Sequence, residues 1–561
     1  MAFTPWYKDM VVYHIWPRSF CDGNGDGIGD LYGVLYRLDY LKSLGVDAIW
    51  FSPLYPSPNA DWGYDISDYM DIHPDFGDLT VFRRVLREAH ERGMRVFMDL
   101  VVNHTSDEHP WFLESRKSRD NPYHNYYHWR PGRRSGAGRL LPPNNWTSIF
   151  EGEAWEYDSH LDEYYLHLFA KKQPDLNMDN PRVREEVKRI LRFWLDMGVD
   201  GFREDVITFI SKAPGLPNAY PRIPAANGLR HYSNRPEAHD YLREFKKDVL
   251  SQYDCFIVGE SPMTDADTAL RYVTEGPNQV LDEMIAFSHM EADCFLIDSI
   301  PRPFNLVKMK KAFSEWQYKL AGKGWNALYI ENHDHARIIS RYGSEKYRTE
   351  SGKMLAAMYM LQRGTPFIYQ GQEIGMTNMP LPELDMYRDV STFNTARILS
   401  RFLPQKKVLS IIQRTTRENA RSPMQWDDGP NAGFTTGRPW FFVNGNYHEV
   451  NVQTELRDPD SLLNFYKKLI AFRKSTDVAR RGDYRELFPK DRRFYVYERR
   501  YFEQRLLVIC SFSDELQRFD APEEIQLDKW QLVLTNYETC FNIGNGFTAR
   551  PYELRVYLLD A

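Results

Sequence analysis

Short apolar runs alternate with segments of helical spacing over the first two-thirds of the chain. Eight such runs, at residues 11–20, 46–55, 95–104, 200–207, 255–261, 279–287, 326–334 and 365–373, are rich in β-forming residues and bounded by turn residues. That is the pattern of buried strands. Between them, Val81, Phe82, Val85, Leu86 and Ala89 fall on one face at helical spacing. Asn180 can cap a helix that Pro181 begins and Gly198 ends. Eight strands separated by helices predict an α/β fold, a (β/α)8 TIM barrel rather than an open sheet.

Two intervals depart from that rhythm. About seventy residues rich in Pro, Gly, Asn, Trp and Tyr, including "RPGRRSGAGRLLPPNNW" at 130–146, separate the third and fourth runs. That is too long for an ordinary strand-to-helix loop and predicts an inserted subdomain, with its basic piece a solvated tip. Near residue 480 the pattern turns to β-like runs such as "RFYVYERR", "RLLVICSF" and "ELRVYLLD". The predicted organisation is therefore barrel (1–104), inserted subdomain (105–175), barrel again (176–480) and a C-terminal all-β sandwich (481–561).

Composition narrows the partners. The 561 residues carry a net charge of −7 without long single-sign blocks, which argues against nucleic acid and fits a neutral small molecule. Aromatics reach 15%, enough to supply flat faces for stacking on sugars, although a large α/β core also consumes such residues. Five scattered cysteines, Cys21, Cys255, Cys294, Cys510 and Cys540, form no CxxC pair, so neither a disulfide framework nor a zinc site is expected. The N-terminal "MAFTPWYKDMVVYHIW" lacks a signal-peptide pattern, and no run of eighteen apolar residues occurs. A soluble, cytoplasmic protein is expected, without membrane contact, as a monomer or weak homo-oligomer.

The stretch "GVDGFREDVITFI" at 198–210 sets a physical problem: Arg203, Glu204 and Asp205 interrupt an apolar strand. Buried charge is costly unless it is paired or put to use. In a β/α barrel, polar residues at the C-terminal ends of strands face the active-site mouth. Here the third run ends in Asn103 and His104, the fourth in Arg203 and Asp205, the fifth in Glu260, and the seventh in His333 and Asp334. Any one could be a salt bridge closing the barrel; four strands with the same chemistry point to a site. Several carboxylates around a neutral ligand suit cleavage of an acetal. One carboxylate attacks or stabilises the anomeric carbon and one protonated acid serves the leaving oxygen. That chemistry requires no cofactor.

Eight motifs in order then identify the chain as resembling the α-amylase superfamily, glycoside hydrolase family 13, and within it the oligo-1,6-glucosidase, α-glucosidase and dextran glucosidase branch. They are "DGNGDGIGD" (22–30), "DWGYDISDY" (61–69), "DLVVNHTSDEHPWF" (99–112), "QPDLNMDNP" (173–181), "GFREDV" (201–206), "GESP" (259–262), "ENHDHAR" (331–337) and "RENARSPMQWD" (417–427). The resemblance covers essentially the whole chain. It implies Asp205 as nucleophile, Glu260 as general acid and then base, and Asp334 as the group gripping a distorted sugar. It also implies that Arg203 keeps Asp205 ionised, that His104 and His333 bond the same sugar ring, and that Tyr64 stacks on it. Arg203 and Asp205 share a face because strand neighbours alternate. Glu204 then points toward the helix layer, where an Arg or Lys partner on a helix is expected.

Four further expectations concern the outer site. "DGNGDGIGD" spaces Asp22, Asn24, Asp26 and Asp30 like the first half of an EF-hand, although an Asx-rich turn without metal has the same spacing. The resemblance implies a structural Ca2+ or Mg2+ there, with the Ile28 carbonyl as a ligand. Asp61 with Arg417 or Arg421 implies an exo-acting pocket closed by an Asp–Arg wall; either arginine could form it. Val206 stands where relatives preferring α-1,6 linkages tend to have valine. His335, Ser261 and Met263 depart from the common pattern near the leaving-group side. The expected activity is a retaining exo-α-glucosidase acting on small oligosaccharides, isomaltose-type linkages foremost. The alternatives are a sucrose- or trehalose-active relative, including a trehalose-6-phosphate hydrolase, and a catalytically inactive binding module; the intact carboxylate set weighs against the last.

Overall fold

Every one of the eight apolar runs contains a strand in the computed structural model, which describes residues 5–150, 152–222, 226–295 and 300–560. The strands are β1 (Val12–Ile15), β2 (Ala48–Phe51), β3 (Arg95–Leu100), β4 (Gly201–Glu204), β5 (Phe256–Ser261), β6 (Glu283–Ala286), β7 (Ala327–Leu328) and β8 (Thr365–Tyr369). They lie in the order β6-β5-β4-β3-β2-β1-β8-β7. All neighbours run parallel, the cyclic arrangement of a (β/α)8 barrel. Among the described residues no ladder joins β6 to β7, so the ring closes there by packing alone.

The helices follow their sequence signals. Asp30 caps α1 (Leu31–Leu44) by accepting from the Gly33 amide, and Gly45 ends it in the left-handed region. In α2 (Leu79–Glu91) the buried residues are Val81, Phe82, Val85, Leu86 and Ala89, the face that the spacing marked. Asn180 caps α3 (Pro181–Met197), and Gly198 stops it at φ 108°. Each helix buries its apolar stripe on the barrel and holds the following strand in register.

The interval 105–175 folds back on itself through a three-stranded antiparallel sheet, Trp129–Arg130, Glu163–Leu166 and Trp155–Asp158. A bridge between His104 and Asp175 ties its two ends together at the barrel mouth. The basic hairpin Arg133–Arg134 with Leu140–Leu141 stands out from it, its arginines exposed.

A second excursion follows β8 and went unmarked by the apolar pattern. It carries α4 (Val390–Leu399), α5 (Gln405–Thr415) and a turn at Arg417–Arg421 back over the mouth. The C-terminal part is all-β, a five-stranded antiparallel sheet facing a two-stranded one. Phe494, Val496, Ile509, Phe519, Trp530 and Phe547 fill the space between. The buried Arg499 guanidinium fastens it to the barrel through carbonyls, its Nη1 donating to those of Ala479 (3.1 Å) and Leu361. All five cysteines are free thiols. Among the described residues no helix is long and apolar enough to cross a membrane.

Candidate active site

Strand register explains the charged cluster. Asp99 on β3 lies opposite Arg203 on β4, and Arg203 lies opposite Val258, two residues before Glu260 on β5. The buried Arg203 guanidinium therefore gathers three acids. Its Nη1 donates to Asp99 Oδ1 (2.7 Å) and Asp205 Oδ1 (2.6 Å), and its Nη2 pairs with Glu260 Oε1. On the opposite face of β5, Gly259 lets Leu281 and Ile207 pack close: a Cβ there would come within 2.5 Å of Leu281 Cδ1. Burial pushes the carboxyls of Asp205, Glu260 and Asp99 up to about 7, against the pull of Arg203. Three acids on one cation retain a proton near neutrality. The cluster thus supplies one ionised carboxylate beside one protonated acid, which acetal cleavage needs.

Just past Asp205 the backbone is strained. Val206 takes φ 37°, ψ 38°, a left-handed conformation rarely adopted by a β-branched residue. The reversal ends β4, turns the chain inward and leaves the buried Val206 side chain on the cavity wall beside Asp205.

A second cluster closes the far end. Arg417 Nη2 donates to Asp61 Oδ1 (2.7 Å) and Asp389 Oδ1 (2.6 Å), and its Nη1 to Asp334 Oδ1 (3.0 Å). Arg421 sits behind, its Nε on the His333 carbonyl (3.0 Å), its Nη2 on Asp334 Oδ1 (3.1 Å) and its plane over Trp16. Arg417 lines the cavity with Asp61, and Arg421 does not; the wall is Asp61–Arg417. Burial opposes ionisation of Asp334, yet His333, Arg417 and Arg421 hold its carboxyl well below the usual range.

Ring and hydroxyl partners stand between the two clusters. Tyr64 stacks on His333 at 5.3 Å and 7°, and its hydroxyl donates to Asp99 Oδ2 (3.0 Å). His104 donates from Nε2 to the Tyr64 carbonyl (3.1 Å), while Asn103 Nδ2 meets its Nδ1 at 3.2 Å. Burial lowers His104 and His333 to about 4, so both rings are neutral. The buried Lys212 anchors this corner on Asn103 Oδ1 (2.8 Å) and Asp175 (2.7 Å).

These groups surround one cavity of about 230 Å³ at the C-terminal ends of the strands. Phe150 from the inserted subdomain roofs it, lying under the Arg417 guanidinium at 5.0 Å. Residues 14–482 match the alpha amylase catalytic domain family. The chain belongs to the alpha-amylase family. It falls in the oligo-1,6-glucosidase branch and is a glycoside hydrolase. It is 49% identical to the oligo-1,6-glucosidase of Parageobacillus thermoglucosidasius, covering 98% of each chain. The trehalose-6-phosphate hydrolase structure of Bacillus licheniformis is 41% identical with a TM-score of 0.93, covering 100% of both chains. The isomaltulose synthase structure of Erwinia rhapontici NX5, solved as a variant with its natural substrate sucrose, is 37% identical with a TM-score of 0.94, again covering 100% of both.

One expectation changes. Among the described residues Glu204 has no cationic partner: it is fully buried, and neither carboxyl oxygen accepts a hydrogen bond from them. Burial, reinforced by Asp282, pushes it up to about 8, so it stands as a neutral acid. Arg203 has turned inward to three other acids, and no described helix residue replaces it. In the 22–30 loop, Asp30 caps α1 and also faces the loop, accepting from Gly33 N (2.7 Å), Gly23 N (3.1 Å) and Asn24 N (3.2 Å). Asp22 accepts from the Asn24, Gly25 and Gly27 amides. Among the described residues no three His, Cys, Asp or Glu side chains are grouped to hold a metal. Asn24 and Asp26 are exposed and adjacent, Asn24 Nδ2 lying 3.0 Å from Asp26 Oδ2.

Three participants escaped the sequence reading. Asp99 and Gln173, the latter donating to Asp61 Oδ2 (3.0 Å), stand inside recognised motifs and could have been found there. Asp389 precedes a helix in "YRDVST" and reads as an ordinary cap, which it also is.

Proposed function

We propose that the chain is a retaining, exo-acting α-glucosidase that releases glucose from non-reducing ends and prefers α-1,6 linkages. The observation that carries this reading is the blind end of the cavity. The Asp61–Arg417 pair, 2.7 Å apart, blocks further sugar beyond the one gripped by Asp334. Two carboxylates held by the two ends of one guanidinium fit the close pairing of retaining enzymes, about 5–5.5 Å, better than the wider spacing of inverting ones. Asp205 attacks the anomeric carbon while the Glu260 proton goes to the departing oxygen. Glu260, now ionised, takes a proton from water that attacks the glycosyl ester. Val206 crowds the leaving sugar, and an α-1,6 link can swing clear through its extra methylene bond.

A phosphorylated substrate finds little support. Arg417 is the one cationic Lys or Arg side chain among the described lining residues, and three carboxylates already occupy it. A hydrolysis panel of isomaltose, maltose, sucrose, trehalose and trehalose 6-phosphate, with products identified, tests the assignment. Free glucose from isomaltose is expected; isomerised disaccharide from sucrose would favour the isomerase reading.

Further features belong to the proposal. A structural Ca2+ or Mg2+ would sit on Asp22, Asn24, Asp26, Asp30 and the Ile28 carbonyl, where hard oxygen donors suit it. Five free thiols support a cytoplasmic setting, and the enzyme would act as a monomer or weak homo-oligomer.

A further inference from the structure

The inserted subdomain and the second excursion both line the cavity, the first through Ile149, Phe150 and Phe169, the second through Ser391, Thr395 and Arg417. Among the described residues, the hydrogen bond and the ring contact that join these two parts both fall on Phe150. Asn394 of α4 donates from Nδ2 to the Phe150 carbonyl (2.8 Å), and the Arg417 guanidinium lies 5.0 Å from the Phe150 ring. Arg397, one helical turn on, donates to Asn394 Oδ1 (3.3 Å), which turns the N–H side of the half-buried amide toward Phe150.

The subdomain holds the same segment from its own side. The Ser148 hydroxyl accepts from the Phe150 amide (3.0 Å) and donates to the Phe169 carbonyl (2.7 Å), while the Ile149 amide donates to the Leu168 carbonyl (2.7 Å). The Phe150 ring meets Phe169 edge to face at 5.4 Å, and Phe169 meets His104 at 5.1 Å. Phe150 is thus fixed at its amide by its own subdomain and at its carbonyl by a helix about 240 residues away in sequence. Its ring is held between Phe169 and the cation that closes the blind end.

Resting on the glucosidase reading for what lies beneath this roof, we infer that Asn394 is a positioning residue for the blind-end sugar. It acts through Phe150: by fixing the carbonyl it fixes the ring that covers the sugar and backs Arg417. The enclosed sugar is covered alike before reaction and in the transition state, so loss of the latch weakens both states equally. KM then rises while kcat holds.

The test compares Asn394→Asp, which keeps the shape but removes the donor, with Asn394→Gln, which keeps the amide on a longer arm. All proteins are assayed where circular dichroism shows them folded. In Asn394→Asp the KM for isomaltose and the dissociation constant for glucose should both rise about three- to tenfold, the worth of one neutral hydrogen bond, with kcat nearly unchanged. Asn394→Gln should bring both constants back toward wild type. Unchanged constants in Asn394→Asp, a fall in kcat at constant KM, or a Gln variant no better than the Asp variant overturns the inference. A wild type that binds glucose but hydrolyses no isomaltose overturns the glucosidase reading alone; calorimetric glucose binding by the two variants then still decides the role of Asn394.

Discussion

Arg417 reaches Asp61 across 356 positions of sequence and closes the cavity with a 2.7 Å hydrogen bond. The same guanidinium also holds Asp334 and Asp389, so one planar cation fixes three carboxylates at the blind end of the cavity. Lysine keeps the charge but cannot bridge three acids at fixed angles. Arg417→Lys should raise the KM for isomaltose at least tenfold while the protein stays folded by circular dichroism. Arg421→Lys, acting from behind the wall, should raise KM less. Equal increases in the two variants would contradict the assignment of the wall to Arg417.

Val206 combines a strained backbone with a position beside Asp205 on the cavity wall. Val206→Ala opens space next to Asp205, and Val206→Thr keeps the shape while adding a hydroxyl. Both should raise maltose relative to isomaltose in kcat/KM, by tens-fold at most, the range that one methyl-sized contact discriminates. A ratio unchanged in both variants would remove Val206 from linkage choice.

Glu204 supplies a pH dependence with a definite sign. Its folded value, about 8, lies above the ordinary 4.5, so the folded state binds the proton more tightly than the unfolded chain. The stabilisation is fully present below pH 4.5 and is lost as pH rises through about 8. Asp205, Glu260 and Asp99 act in the same direction, so the comparison must be with Glu204→Gln, which leaves them in place. Thermal melts from pH 5 to 9 should show wild type losing stability relative to Glu204→Gln, on the order of a few kcal/mol in total. Parallel curves would show that Glu204 is not protonated in the fold.

How much of this was legible in the sequence differs by element. All eight strands were readable because each buries an apolar run, and Arg203 with Asp205 followed from strand alternation. The Arg417 wall was half legible: the motif contained both arginines, but only the turn at Arg417–Arg421 decides which one faces the cavity. Asp389 was hidden, because a cap at a helix start looks the same whether or not it also grips an arginine from 28 residues away. Glu204 was misjudged for a related reason. Pairing depends on which side chains approach from neighbouring elements, and the nearest cation was already shared by three acids.

The loop at 22–30 separates two outcomes cleanly. If it holds a cation, chelation should lower the melting temperature, added Ca2+ or Mg2+ should restore it, and Asp26→Ala should abolish the response. Initial rates at moderate temperature should change less than stability. Melting indifferent to chelator and to both ions would leave the loop as a turn held by the Asp22 and Asp30 hydrogen bonds.

The most direct test of an exo-acting, retaining, α-1,6-preferring enzyme is one time course of panose hydrolysis followed by proton NMR. Panose carries an α-1,6-linked glucose at its non-reducing end and an α-1,4 bond within, so linkage, mode and stereochemistry are read together. Glucose and maltose should appear first and in equal amounts, with the glucose released as the α anomer before mutarotation. Early isomaltose, or glucose born as the β anomer, would contradict the account.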